Sequence, residues 1–517
     1  MKKLFILLVI IISFQLLKAQ VPTWNQDVAP IIFQHCTSCH HSDGIAPFRL
    51  MNYNQAFQHL NDIGADVSDK KMPPWPPSTS YCHYQNERAL TYQDINTILD
   101  WVNGGGPEGT GTQPTAPVFT NNTMMSNIDT TLYMPLYTVQ TDVDEYRTFV
   151  IHSGLDSTRY INEIEFMIGN KSIVHHILIY QDPTVTSWNY DQNDPGPGYN
   201  SNGTTTASPY ATLITGWAPG DPMQSLPGNF GFKVSAGADY VVEFHFAPGH
   251  IGELDSTHIN IHYCSGTNVR QVVVSPILYH EFPSLMGGPL FIAADSVETF
   301  TERAKFNFDK TLISVGPHMH LIGTSIKSFF VDSAGDTTKL IHIPTWDFHW
   351  QGFYNFQHFI KLPAQTYIYA NAVYNNTSSN PNNPNTPPID VSVGEHTTDE
   401  MMLVFFAYTD YQPGDENIVV DTTVYNTGIQ ANSNQSELSF RLIPNPASSE
   451  FFIQPSQDVF EDYEIELTNL IGELVLKETF NPLSHIPVNI SQLPNGVYFV
   501  HLIGSKFNST IRIVKSY

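Results

Sequence analysis

Positive charge is what this sequence has least of. Its 517 residues include 23 Lys and Arg against 49 Asp and Glu, giving a formal net charge of -26, and charged side chains make up only 14% of the chain. So acidic a surface repels polyanions, which excludes nucleic acid and anionic membrane as partners and favours solubility. Cysteine is also scarce. Cys36, Cys39, Cys82 and Cys264 are too few and too unevenly spaced for a disulfide framework, although a Cys82–Cys264 bridge stays open. Beyond the first twenty residues no apolar run is long enough to cross a bilayer, so no stable membrane insertion is expected. What the chain does have is 32 Gly, 36 Pro, many Asn, Ser and Thr, and 41% hydrophobic residues. That balance fits an exported, β-rich protein with true cores rather than a coiled coil or a disordered chain. The length suits three or four domains.

The N-terminus reads as a signal peptide over residues 1–20. Lys2-Lys3 form a basic start, Leu4 to Leu17 an apolar stretch, and Ala19-Gln20 a cleavage point. The alternative, a transmembrane anchor, asks for a longer run. No Cys follows to take a lipid. The mature protein is therefore expected in an oxidising, extracytoplasmic compartment.

Residues 21–107 form a first unit. A short helix over Trp24 to Gln34 runs into His35-Cys36-Thr37-Ser38-Cys39-His40. Cys-x-x-Cys-His is the attachment pattern of a c-type haem: two thiols one helical turn apart bond the two vinyl groups, and the adjacent His40 sits under the iron. A redox Cys pair or half a zinc site would lack the immediate His or need a second pair. Met72, in Lys71-Met72-Pro73-Pro74-Trp75-Pro76-Pro77, offers a thioether on a proline-stiffened loop as the opposite axial ligand, with Met51 its competitor. Leu90 to Val102 carries the apolar spacing of an amphipathic helix, stopped by Gly104-Gly105-Gly106-Pro107. The stretch resembles a small, all-α class I cytochrome c domain, with a shorter Cys-to-Met distance than many. Residues 108–124, rich in Thr, Gly and Pro, read as a linker.

From residue 125 to 425 the pattern changes to short alternating strands: Tyr146 to Ile151, Ile173 to Tyr180, Tyr240 to Phe246, His258 to Tyr263, Ile313 to Ile322 and Met402 to Tyr408. With turn residues between them and no long helical pattern, two all-β antiparallel, jelly-roll-like sandwiches are expected, over 125–285 and 286–425.

Four histidine and methionine motifs punctuate this region: Val174-His175-His176-Ile177, Glu243-Phe244-His245-Phe246, Gly316-Pro317-His318-Met319-His320-Leu321, and Thr398-Asp399-Glu400-Met401. On a strand, His318 and His320 share one face, as two ligands of one metal must, although a lone His-x-His is more often two exposed residues. His175 and His176 are adjacent and would face opposite ways unless the backbone bulges or the rings use different nitrogens; otherwise one is a core and one a surface histidine.

The order of the four motifs resembles the copper type II, ascorbate-dependent monooxygenases, which include dopamine β-monooxygenase and peptidylglycine α-hydroxylating monooxygenase. Gly216-Trp217-Ala218-Pro219-Gly220 and Thr345-Trp346-Asp347-Phe348 match more loosely. The resemblance covers roughly residues 125–425. It implies two copper ions: His175, His176 and His245 hold the electron-storing one, and His318, His320 and Met401 the one where O2 is activated. A soft thioether at only the second site suits a copper that meets O2 in its reduced state. The implied reaction converts R–H, O2, two electrons and two protons to R–OH and water, with ascorbate or another external reductant as donor. A covalent haem in the same chain suggests an internal donor.

The substrate is expected to be a small organic molecule of another class than a peptide. Where the peptide-amidating enzyme carries an Arg before its His-x-His, and an Asn and a Tyr after its Met, this sequence has Gly316, Leu403 and Phe405. A non-catalytic surface electron carrier and a surface-binding β-protein with a vestigial site are the competing readings. Finally, residues 426–438 read as a polar linker and 439–517 as a small β-sandwich. Its Pro444-Asn445-Pro446-Ala447, Leu493-Pro494-Asn495-Gly496-Val497-Tyr498 and basic last strand resemble the C-terminal sorting domain of the type IX secretion system. That resemblance implies the secretion machinery as a partner, and export across the outer membrane of a Bacteroidetes-like bacterium to the surface or medium.

Overall fold

The computed structural model describes residues 21–42, 44–119, 123–201, 208–394, 396–418, 420, 440–455, 463–469, 474–480, 487–503 and 508–516. The expected signal peptide and the 426–438 linker lie outside these. The chain divides into two compact units, residues 1–430 and 431–517.

In the first unit, helices come first. Ala29–His35, Tyr53–Gln58, Leu60–Ser68 and Tyr92–Asn103 surround a core of Trp24, Ile32, Leu50, Ile63, Ile98 and Trp101. The last helix begins in a capping box: the Thr91 hydroxyl accepts from the Asp94 amide while the Asp94 carboxylate accepts from the Thr91 amide, each at 3.1 Å. Among the described residues these helices group with the larger unit rather than forming a compact unit of their own. Ser78 N–H donates to the His342 carbonyl, the Tyr84 hydroxyl to Leu340 and the Gln85 amide to Phe356, at 2.7–2.8 Å. Tyr84 is fully buried among second-half core residues. The segment expected as a linker is also tied back: Trp24 Nε1 donates to Gln113 at 2.8 Å and Asn25 to the Gly111 carbonyl at 3.1 Å.

The rest is β-rich, as its alternating sequence demands. Strands fall within a few residues of their expected positions, and an additional short helix, Thr186–Asn193, interrupts them. Each half contributes a five-stranded sheet of its own. In the first half, Val174–Asp182 lies between Asp239–Phe246 and Thr212–Trp217. In the second, Val297–Ala304 and Gly323–Val331 flank Ile368–Asn375. A nine-stranded sheet runs through both halves, joined where Arg270–Tyr279 pairs with Met402–Asp410, which in turn pairs with Lys310–Met319. The join is therefore a hydrogen-bonded ladder rather than a loose hinge, and it carries the methionine motif beside the His-x-His motif.

The second unit holds a three-stranded and a four-stranded sheet around Phe451, Ile465, Leu467, Val500, Leu502 and Ile513. Its Pro-Asn-Pro-Ala motif meets the last strand. The Asn445 side chain accepts from the Val514 amide at 3.0 Å, and Ala447 N–H donates to the Val514 carbonyl at 2.8 Å. The Pro-Asn-Pro-Ala turn thus locks the last strand.

Candidate metal centre

The adjacent histidines are resolved by a bulge. His245 stands directly opposite His176, while its successor Phe246 pairs with Val174, leaving His175 as the extra residue. A bulge lets two neighbours turn to one side of a strand. The Nδ1 atoms of His175 and His176 are 3.1 Å apart, and those of His176 and His245 3.4 Å. One nitrogen from each of the three rings lies within 4.8 Å of the others, the spacing of ligands around one ion. Nε2 of His245 donates to the Asp144 carboxylate at 2.7 Å, which fixes the tautomer and leaves Nδ1 free to ligate. Tyr146 stacks on His245 with ring centres 4.3 Å apart. Burial holds His176 well below its ordinary pKa and lowers His175 to about 4. Both are neutral imidazoles at physiological pH, as metal ligands must be.

The His-x-His motif straddles a strand end: His318 lies in Lys310–Met319 and His320 just beyond it. Their ring centres are 5.1 Å apart. Both present Nε2, because Nδ1 of His318 donates to Gln351 at 2.6 Å and Nδ1 of His320 to the Asp399 carbonyl at 3.1 Å. Burial pushes their pKa values down to about 3 and about 4. Met401, 7% exposed, lines the same cleft, which also contains His175 and His176. Glu400 fastens the pieces together. Its carboxylate accepts from the backbone of His320 at 2.9 Å, Ile322 at 2.8 Å and Met401 at 3.2 Å. Burial raises its pKa to about 8 against the pull of those donors. The Tyr374 hydroxyl donates to the Met401 carbonyl and Trp346 Nε1 to the His320 carbonyl, at 2.8 and 3.2 Å.

The donor types are those that the resemblance implies for two coppers. Three imidazole nitrogens lie close enough to share one ion, and the cleft brings two imidazoles and a thioether to its other side, a softer donor set. The loop Asp347–Phe353 reaches both. His349 is 6.1 Å from His175 and Phe348 6.0 Å from His320, ring to ring. A Cβ on Gly316 would lie 2.9 Å from the Phe353 ring, so the place of the amidating enzyme's Arg is filled by an aromatic wall.

The Cys-x-x-Cys-His turn follows the Ala29–His35 helix, with Cys39 and His40 amides bonded to the Cys36 carbonyl at 3.2 and 3.0 Å. That winding puts both thiols on one turn. Nδ1 of His40 donates to the Phe48 carbonyl at 2.9 Å, leaving Nε2 for an iron. Burial pushes the Cys36 thiol up to about 12 and raises that of Cys39. The set fits a covalent haem. Met72 follows the Leu60–Ser68 helix, its amide bonded to the Asp66 carbonyl at 3.2 Å; no hydrogen bond links it to the cysteine turn among the described residues. The ring beside His40 is Phe48, at 4.6 Å, itself stacked on His59 at 3.8 Å. Cys82 and Cys264 do not pair: one thiol faces the His83 carbonyl and the other that of Phe230.

Sequence reasoning did not single out Asp144, Tyr146 or Gln351. Each comes from a segment without a histidine motif and meets the site only through sheet pairing or loop closure.

Residues 441–516 match the family described as "Secretion system C-terminal sorting domain". The tail is a type IX secretion sorting domain. It directs the chain out of the cell, to the surface or medium of a Bacteroidetes-type bacterium, and implies contact with that secretion machinery. Among the described residues no helix is long and apolar enough to cross a membrane. Comparison with curated proteins gave no match. Among solved structures, the chain is similar to "Biofilm associated protein - BSP domain", at 9% identity and TM-score 0.14, covering 79% of this chain and 84% of that one. It is also similar to the VP2 subviral particle of infectious bursal disease virus, at 8% identity and TM-score 0.16, covering 58% and 76%. Likeness that low carries no argument about function.

Proposed function

We propose that this exported protein is a copper-dependent monooxygenase that hydroxylates a C–H bond of an apolar organic substrate, with electrons from a covalent haem in the same chain. The observation that carries this reading is one cleft lined by His175 and His176, which cluster with the buried His245, and by His318, His320 and Met401, two dissimilar donor sets. A simple electron carrier needs one metal; two sites of different softness suit storage at one and O2 chemistry at the other.

Bound copper would supply the redox and O2 chemistry. The chain's own residues do the rest. Asp144 and Gln351 fix which ring nitrogen each partner histidine offers. Glu400 holds the His320 turn against the Met401 strand. Gly316, Leu403, Phe353 and Phe405 wall the cleft with carbon and give no cation to a substrate carboxylate. Such a wall selects an uncharged apolar or aromatic body and excludes water, which strengthens the polar interactions that remain.

The test is a panel of apolar and aromatic compounds incubated with the copper- and haem-loaded protein, a reductant and isotopically labelled O2. The expected result is label in a hydroxylated product with the wild type and none with His318→Ala. Two bound coppers that cycle with reductant and O2 yet leave every compound unlabelled would favour the electron carrier.

A further inference from the structure

The turn Trp217–Asp221 has two faces. It closes the Thr212–Trp217 strand, which pairs with the histidine strand in the register Ile177↔Trp217 and Leu178↔Gly216. Trp217 therefore lies across from the neighbour of His176, and Trp217, Ala218 and Asp221 line the cleft beside His175 and His176. Ala218 N–H donates to the Asp221 carboxylate at 2.9 Å, which closes the turn.

The other face meets the haem-attachment motif. Gly220 has φ +86°, and a Cβ there would lie 2.4 Å from Arg88 Nη1 and 3.6 Å from Cys39 Sγ. A Cβ there would overlap Arg88 Nη1, while the Cys39 sulfur already lies at van der Waals distance from the same position, so both rest against this loop. Arg88 in turn lies over the Trp75 ring, 5.7 Å from its centre. Cys39 also feels the charges of Arg88, Lys171 and Asp221, which come from both sides of the contact.

We propose that the Trp217–Asp221 turn is the electron-entry contact of the molecule, so that electrons reach the His175/His176/His245 site before the His318/His320/Met401 site. The inference rests on the proposed function and adds a direction to it. With haem bonded at Cys36 and Cys39 and copper held by the three histidines, the turn would carry one electron from ferrous haem to cupric copper. The balance would be ferric haem and cuprous copper, with no bond made or broken and no proton moved. The route is covalent or hydrogen-bonded along the Gly220 to Trp217 backbone, across the ladder to Ile177 and on to His176. Its one van der Waals step is the Cys39–Gly220 gap, and tunnelling falls steeply as such a gap widens.

The experiment uses the full mature chain with covalent haem and copper, both quantified first. A light pulse with a soluble photoreductant reduces the haem, and decay of its ferrous absorption band reads transfer to copper. In Gly220→Val, a side chain forced into the packed contact pushes its neighbours apart, and the decay slows tenfold or more at unchanged haem and copper content. Gly237→Val carries the same backbone cost, with φ +67° and open space around it, and keeps the wild-type rate. His245→Ala loses the fast decay, whereas Met401→Ala keeps it. If Gly220→Val does not fold, the His245→Ala and Met401→Ala arms still decide which site takes the electron first. Equal decay in the Gly220 and Gly237 variants, or fast decay that survives His245→Ala and vanishes in Met401→Ala, overturns the proposal. Failure to bind haem or two coppers overturns the proposed function instead, before any pulse is given.

Discussion

Asp144 is a half-exposed carboxylate on an acidic protein, and nothing in its immediate sequence marks it. Its contact does: it accepts the Nε2–H hydrogen bond of the buried His245, and that bond holds its carboxyl below the usual carboxylate range. Partners of this kind orient a ligand ring and raise its basicity. Asp144→Asn should therefore weaken copper at the three-histidine site by about 10–100-fold while leaving the methionine site unchanged, as read by competition titration. Glu400 works through the backbone. Glu400→Gln keeps the size but loses acceptor capacity toward three amides, a cost of about 1–3 kcal/mol. Thermal unfolding should show that loss, and copper titration should show the loosening at the His318 site alone. Glu302 is a different case. It is fully buried, neither carboxylate oxygen meets a hydrogen-bond partner, and burial raises its pKa well above 4.5. The native state keeps that proton while the unfolded chain gives it up near 4.5, so its contribution to stability declines as pH rises above about 4.5. Glu302→Met should then stabilise the protein, by an amount that grows from pH 5 to pH 8 in denaturant titrations. A pH-independent difference would contradict the account.

At the level of elements, the strand carrying His175 and His176 shows what a sequence can and cannot say. Alternation alone sets two neighbours on opposite faces, so both could reach one metal only through a bulge or through different ring nitrogens. The bulge is there, between the pairs at His245 and Phe246. The strands themselves were legible because one-sided burial enforces period two. The short helix Thr186–Asn193 was not, since its polar sequence has no apolar stripe and it gains its place from packing on neighbouring strands. The cysteine turn and the Tyr92–Asn103 helix were readable from local chemistry. Asp144 and Gln351 were not, because their role depends on contacts across 101 and 33 residues of sequence. The bulge also makes a prediction. Deleting His175 should restore regular pairing, leaving a folded sheet by circular dichroism but abolishing copper binding at the first site. Full copper retention would show that the bulge is incidental.

At the scale of the whole molecule, three features act together. The sorting tail forms its own compact unit and carries the export signal. Removing residues 441–516 should leave the remaining unit folded but held inside the outer membrane, as cell fractionation would show. The helical segment is built into the larger unit through Tyr84 and Gln85, so the haem motif is held beside the β region rather than swinging on a tether. The sequence was read as a haem domain, two β domains and a sorting domain, with linkers at 108–124 and 426–438. Composition shifts mark where one pattern ends and another begins, but not the long-range hydrogen bonds that fuse them. The shared nine-stranded sheet is of the same kind, since strand pairing across halves leaves no local trace. The measurement that tests the central claim most directly is metal and haem stoichiometry on the mature, haem-matured protein, beside His176→Ala and Met401→Ala. The account predicts one covalent haem and two coppers in the wild type, with a different copper lost or weakened in each variant. One haem with no copper would contradict it.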